Sequence, residues 1–213
     1  PRILRWRNKN KRKSIFNRTR RRIEELQHMK KNSALAYVGH NKDKDREKND
    51  FYPTPTTATE DLLKRQKFEG KIWEPACGNG AMSTIMEKQG YEVYSTDLIN
   101  RGYGQSGVDF LLETQKFDNI VTNPPFSLAL EFTLKALELA NKKVVMLSKV
   151  SYLEGLERRE RLFNQKKLEK VLIFSRRIPF KKANAEGKAN GLMAFGWFIY
   201  DVNYQGLPTI DWI

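Results

Sequence analysis

"KIWEPACGNGAMSTIMEKQGYEVYSTD", Lys71 to Asp97, decides the fold. "KIWEPA" reads as a strand that runs into a turn holding Gly78 and Gly80. "AMSTIMEKQG" reads as a helix closed by Gly90, and "YEVYSTD" as a second strand ending on the acid Asp97. Strand, glycine turn, helix and strand make a βαβ unit, and the pattern repeats downstream. "FDNIVTNPPF" is a strand that stops on Asn-Pro-Pro-Phe, "LALEFTLKALELA" repeats its apolar residues at helical spacing, and "KVVMLSKVSYL" is another buried strand. Alternation of this kind predicts an α/β fold with a mainly parallel sheet and helices on both faces. The tail differs. "LEKVLIFSRRIPF" and "LMAFGWFIYDV" are β-rich runs separated by the polar "KKANAEGKANG", which predicts an antiparallel C-terminal strand pair carrying a long loop.

Upstream of the unit, "FYPTPTTATEDLL" holds its backbone extended at Pro53 and Pro55. Thr57 and Glu60 then match an S/T-x-x-E capping box opening a short helix. The chain therefore divides into a basic arm and linker, residues 1–49, and a folded domain, residues 50–213. Residues 1–31 carry thirteen Lys and Arg against Glu24 and Glu25, a net of +11, which leaves only +3 of the total +14 for the rest of the chain. Within the arm, Ile15, Phe16, Ile23, Leu26 and Met29 are spaced as one helical face with Arg20, Arg21 and Arg22 mostly off it. Such a block is either a solvated tail or a footprint for phosphates, whose counterions are released when Lys and Arg replace them. Pro1 stands where a start Met would, which leaves the arm's upstream extent open. One cysteine excludes an internal disulfide and suits a reducing, cytoplasmic setting. The apolar runs are too short to span a bilayer, so a soluble protein without a membrane partner is expected. His28 and His40 stand outside any cluster at metal-ligand spacing, and no metal is expected.

The turn after the first strand points to a nucleoside ligand. Gly78 and Gly80 let the backbone come close to a ligand, and a carboxylate at the tip of the second strand, Asp97, can take both ribose hydroxyls. The third glycine of the dinucleotide fingerprint is missing, and no Lys-Ser/Thr follows as in a phosphate-cradling loop. Glu74 precedes the glycines instead; a carboxylate there repels pyrophosphate and suits the cationic end of S-adenosylmethionine. Cys77, inside this loop, is read as a small packing residue and not as a nucleophile.

The Asn-Pro-Pro-Phe turn adds the second half of a chemistry. An amino group on an aromatic ring is a poor nucleophile because its lone pair is delocalised into the ring, so a catalyst acting on one must hold both amino hydrogens. Asn123 offers a side-chain carbonyl and Pro124 a main-chain carbonyl, Pro124 and Pro125 stiffen the turn, and Phe126 offers a ring for base stacking. The bland reading is that two prolines merely end a strand and start a helix. The order Glu74, Gly78, Gly80, Asp97, Asn123 weighs against it.

"EPACGNG", Asp97 and "TNPPF" together resemble the S-adenosylmethionine-dependent amino-methyltransferases, whose motifs are acid-x-x-x-G-x-G and [NDS]-P-P-[YFW]. "DFYPTP" resembles the N-terminal cofactor motif of DNA adenine methyltransferases, and "VLIFSRRIPF … AFGWFIYD … GLPTIDWI" is similar to phage and prophage enzymes of the adenine-N6 type. The resemblance covers about Asp50 to Ile213. It implies a Rossmann-like class I methyltransferase fold with S-adenosylmethionine as cofactor and S-adenosylhomocysteine as product. The implied cofactor contacts are Tyr52, Thr54, Pro55, Glu74, Pro75, Cys77, Gly78, Gly80, Asp97, Leu98, Asp109, Phe110 and Asn123, with Asp109 and Phe110 at the edge of a presumed third strand. Asn123, Pro124, Pro125 and Phe126 are the implied catalytic turn. Nucleic acid, DNA ahead of RNA, is the implied partner. The arm with Arg20, Arg21 and Arg22 is not covered by the resemblance and stays a solvated tail or a phosphate footprint by its charge alone; Arg176, Arg177, Lys181 and Lys182 beside the long loop are placed to contact phosphates, with Asn184 or Asn190 as base readers, the alternative being a solvated loop. That loop is too small for a large recognition domain, so little or very short sequence specificity is expected. Adenine or guanine amino groups of RNA, the N4 of cytosine, and a non-catalytic nucleic-acid-binding module stay open as alternatives, as does the oligomeric state.

Deleting residues 1–31 is expected to lower nucleic-acid affinity and flatten its salt dependence. Titrations at several salt concentrations check this, and an unchanged slope would make the arm a tail.

Overall fold

The computed structural model describes residues 51–178, 180 and 193–213. The arm with Arg20, Arg21 and Arg22, and Lys181, Lys182, Asn184 and Asn190, lie outside the described residues. The chain enters through α1 (Thr56–Arg65) and continues as β1 (Ile72–Glu74), α2 (Ser83–Lys88), β2 (Val93–Asp97), β3 (Gln105–Ser106) and β4 (Phe117–Thr122). It then forms α3 (Ala129–Leu139), β5 (Ala140–Lys149), α4 (Leu156–Arg161), β6 (Leu168–Ile173), β7 (Phe195–Asp201) and β8 (Thr209–Trp212).

The strands join one eight-stranded sheet in the order β3-β2-β1-β4-β5-β7-β6-β8. Pairing is parallel from β3 through β5; β7 runs antiparallel to both β5 and β6, and β6 pairs parallel with β8. This is the expected Rossmann-like sheet with its antiparallel C-terminal pair. The strand order reverses between β1 and β4, so their outgoing loops diverge and leave a crevice at the C-terminal edge. The glycine turn and the Asn-Pro-Pro-Phe turn are those two loops.

The central strands are apolar on consecutive residues because both faces are covered. In β5, Val144 and Met146 pack into one core layer and Val145 and Leu147 into the other; in β7, Phe198 and Tyr200 oppose Trp197 and Ile199 in the same way. The layer of Val145 takes Leu62 of α1 and Met86 of α2, and the layer of Val144 takes Phe132 and Ala136 of α3. Trp197 is fully buried, and its Nε1 donates to the Ala58 carbonyl at 3.0 Å, fastening α1 to the sheet.

Some local expectations fail. The capping box does not form: α1 starts at Thr56 with Pro55 as its N-cap residue, whose carbonyl accepts from Ala58 N at 2.9 Å, and there is no side-chain cap bond. Proline sets the helical entry two residues earlier, which places Thr57 inside the first turn. The glycine-rich stretch after β2 contains the two-residue β3, paired Thr96 to Gln105, and Asp109 caps the 3-10 turn Phe110–Leu112 instead of ending a strand. β8 and α4 were not anticipated. α4 buries none of its residues, so it has no apolar stripe to read, and β8 is a short edge strand with Ile210 and Trp212 exposed.

Trp197→Phe is expected to destabilise the chain by about 1–3 kcal/mol, through lost volume and the lost bond to Ala58. A lower denaturation midpoint at unchanged m-value is the expected result.

Candidate active site

The crevice at the β1–β4 switch is an open cleft. Its walls include Tyr52 and Thr54 from the entry segment, Glu74, Pro75, Cys77 and Gly78 after β1, Asp97 and Leu98 after β2, Phe110, and Asn123 and Pro125 after β4. Most of the residues singled out from the sequence therefore meet on one surface. Pro55, Gly80, Asp109, Pro124 and Phe126 do not reach the wall. Phe51, Ile99, Arg101, Val108, Leu128 and Phe132 do reach it. Phe51 belongs to the "DFYPTP" stretch and Leu128 and Phe132 to the apolar helical repeat, whereas no periodicity or motif marks Ile99, Arg101 and Val108. The neighbourhood of Tyr52 was the available signal for Phe51.

The glycine turn is shaped by rings of the chain itself. Gly78 and Gly80 have φ of +57° and +79°, and a Cβ on either would lie 2.5 Å from a ring, Phe51 at Gly78 and Tyr103 at Gly80. Only glycine tolerates both the conformation and the approach. Asp97 ties this turn to β2: Gly78 N donates to Oδ2 and Ile99 N to Oδ1, each at 2.8 Å. The carboxylate is oriented by these bonds while each oxygen keeps acceptor capacity toward the cleft. Asp109 spends Oδ1 on the Leu111 N–H at 3.1 Å, whereas the Phe110 ring packs edge-on against Trp73 at 5.0 Å and forms an apolar wall with Leu98 and Val108.

Glu74 has only 2% of its surface exposed. Ser83 Oγ donates to its Oε2 and is itself 2.6 Å from Ser95 Oγ. Burial pushes the carboxyl up to about 8, against the opposing pull of Ser83, with the nearby Asp97 and Glu87 charges adding to the rise. At neutral pH the free cleft therefore holds a largely neutral acid that a cation would ionise. Burial also pushes the Cys77 thiol up to about 12, and its Sγ donates to the Tyr103 carbonyl at 3.6 Å, which suits packing and not nucleophilic attack.

The Asn123 amide has a definite orientation. Its Nδ2 donates to the Tyr52 carbonyl at 3.2 Å and to Thr54 Oγ1 at 3.0 Å. A carbonyl only accepts, so the nitrogen must be on that side and Oδ1 must point the other way. Oδ1 is buried without a hydrogen-bond partner, and of the six such side-chain atoms among the described residues it alone belongs to a cleft-lining residue. Phe126 lies beside this turn, near-parallel to Tyr52 at 5.8 Å and tilted on Phe195 at 5.6 Å, with Lys149 Nζ 5.4 Å from its ring centre. Arg177 is exposed, but Arg176 is engaged with Asp61 of α1 at 2.6 Å. Among the described residues no three His, Cys, Asp or Glu gather as a metal site, and no helix is long and apolar enough to cross a membrane.

No protein-family model matches the sequence. No curated protein matches it either. Solved structures do share the architecture. A Pyrococcus horikoshii protein named as an RNA methyltransferase superposes with a TM-score of 0.55 at 18% identity, over 79% of this chain and 95% of that one. A modification subunit named for a type I restriction enzyme of Vibrio vulnificus gives 0.53 at 14% identity, over 84% of this chain and 49% of that one, so this chain spans about half of the subunit. A Streptococcus thermophilus protein named as a hemolysin gives 0.52 at 12% identity, over 73% and 68% of the two chains. At these identities the likeness is one of fold, the Rossmann-like fold found in methyltransferases.

The Glu74 environment sets a pH dependence. A carboxyl raised from 4.5 to about 8 by folding binds more protons in the native state, so its contribution to stability is complete below 4.5 and is lost as pH rises through 8. Glu74→Gln cannot ionise. Thermal melts across that window are expected to show the variant gaining on the parent steadily as pH rises; a constant offset would contradict the buried, neutral acid.

Proposed function

We propose that this chain transfers a methyl group from S-adenosylmethionine to the exocyclic N6 of adenine in DNA, with little or short sequence specificity, and is a phage-type enzyme acting on nucleic acid in the cytoplasm. The observation that carries the reading is the partnerless Oδ1 of Asn123 in the wall of a cleft whose other features suit an adenosine.

The donor set fits the cofactor. Asp97, oriented by Gly78 N and Ile99 N, accepts the ribose hydroxyls; Leu98, Val108 and Phe110 supply an apolar slot for the adenine; Glu74 ionises against the cationic end. S-adenosylmethionine supplies an electrophilic methyl group when bound. Asn123 Oδ1 then takes one amino hydrogen and the Pro124 carbonyl, which the free chain keeps behind the cleft wall, is assigned the other, an arrangement that directs the N6 lone pair out of the ring plane. Oδ1 is covered in the free chain, so the incoming amine reaches it only after the surroundings of the turn shift. Phe126 and Tyr52 offer rings for a base drawn out of its stack, at the scale of about 1–3 kcal/mol per stacked base.

An RNA amine is the second reading, favoured by the Pyrococcus horikoshii likeness, since single-stranded targets avoid the cost of unpairing. Labelled S-adenosylmethionine offered with separate DNA and RNA pools, followed by nucleoside mass analysis, tells the two apart. Methyl-adenine from DNA is expected; label in RNA alone would select the second reading, and label in neither would end both.

Asn123→Ala is expected to lower the single-turnover rate on the order of 10²–10³, the scale for one positioned hydrogen-bonding group. Phe126→Ala is expected to raise the nucleic-acid requirement while largely recovering its rate at saturation. An Asn123 variant that methylates at the parent rate would remove the turn from the chemistry.

A further inference from the structure

We infer that Arg101 anchors the carboxylate of the cofactor's amino-acid end. This rests on the S-adenosylmethionine reading above and adds a binding residue to it. The cleft walls carry three ionisable acidic or basic side chains that a cofactor could use among the described residues, Glu74, Asp97 and Arg101. The two acids suit the cationic groups and the ribose. The ligand also carries one carboxylate, and Arg101 is the only cation in the described wall.

Its setting suits that task. The guanidinium carbon lies 4.0 Å from the centre of the Phe51 ring. Phe51 packs where a Gly78 side chain would be, and the Gly78 N–H holds Asp97 Oδ2 at 2.8 Å. Ring, glycine turn and ribose-binding acid thus form one contiguous wall, and the guanidinium is at its Phe51 end. The apolar slot of Leu98, Val108 and Phe110 is left for the adenine. A guanidinium lying on a ring keeps its N–H donors at the planar edge, where a carboxylate meets it in a two-point fork. Arg101 is paired with no described carboxylate, so that edge is not taken by any described acid. A ligand with two cationic groups entering between Glu74 and Asp97 would leave its own anion facing two acids; Arg101 relieves that repulsion.

Calorimetric titration of the full chain, Arg101→Gln and Arg101→Lys with two ligands tests the inference. S-adenosylhomocysteine has the amino-acid end, and 5′-methylthioadenosine lacks it. In the Gln variant affinity for the first is expected to fall roughly 10- to 100-fold, the range for a charge-assisted pair, with affinity for the second unchanged. The Lys variant is expected to recover part of the loss. Methylthioadenosine binding also reports that the variant cleft is intact. Equal losses for both ligands would assign Arg101 to the adenosine end or to the fold, and an unchanged affinity for S-adenosylhomocysteine would leave it to another partner such as nucleic acid; either overturns the inference. A parent chain that binds neither ligand would instead sink the cofactor reading, and the anchor with it.

Discussion

The Asn123 side chain joins the two ends of the cleft. Its amide nitrogen bonds Tyr52 and Thr54, 71 and 69 residues away in sequence, so the turn that ends β4 and the segment that leads into α1 hold each other in place. Neither segment is regular structure, and neither has a ladder of its own. That amide fastens the entry segment beside the glycine turn together with the Tyr52 ring contacts to Phe126 and Phe180 and the Arg101 contact to Phe51. The same two bonds commit Oδ1 to the opposite direction. One rotamer therefore closes the wall and aims the acceptor.

The cleft balances charge in an unusual order. Two acids, Glu74 and Asp97, stand near one another, and burial keeps the first protonated while backbone amides hold the second. A neutral glutamic acid costs the free protein less than a buried carboxylate would. A cation entering the site recovers the charge, so binding is linked to proton release. The desolvation of one carboxyl group would thus favour a cation in this cleft as much as a direct contact would.

Much of this was legible in the sequence. Consecutive apolar residues in β4, β5 and β7 reported a sheet covered on both faces, and the glycine and proline turns fell where the strand order reverses, because only a few residue types satisfy those backbones. Contacts made by residues far apart in sequence were not legible. Phe51 and Arg101 reach the cleft through tertiary packing, and the Thr57–Glu60 pattern satisfied the spacing of a capping box while Pro55 set the helix start. Arg176 illustrates the same limit, since its charge was visible but its partner Asp61 on α1 was not. β8 is too short and too exposed to leave a pattern.

The strand β7 returns between β5 and β6, and the bonds Val150 N to Ala194 O at 2.9 Å and Phe174 N to Phe195 O at 3.1 Å pin both ends of the segment that joins β6 to β7. Its ends are set by the sheet, beside the tip of β5 and on the same edge as Asn123. Doubling the length of such a closed loop adds only about 0.6 kcal/mol of closure entropy. The connection on that edge can therefore be lengthened, shortened or exchanged as a cassette, while the strands that hold the Asn123 amide keep their register.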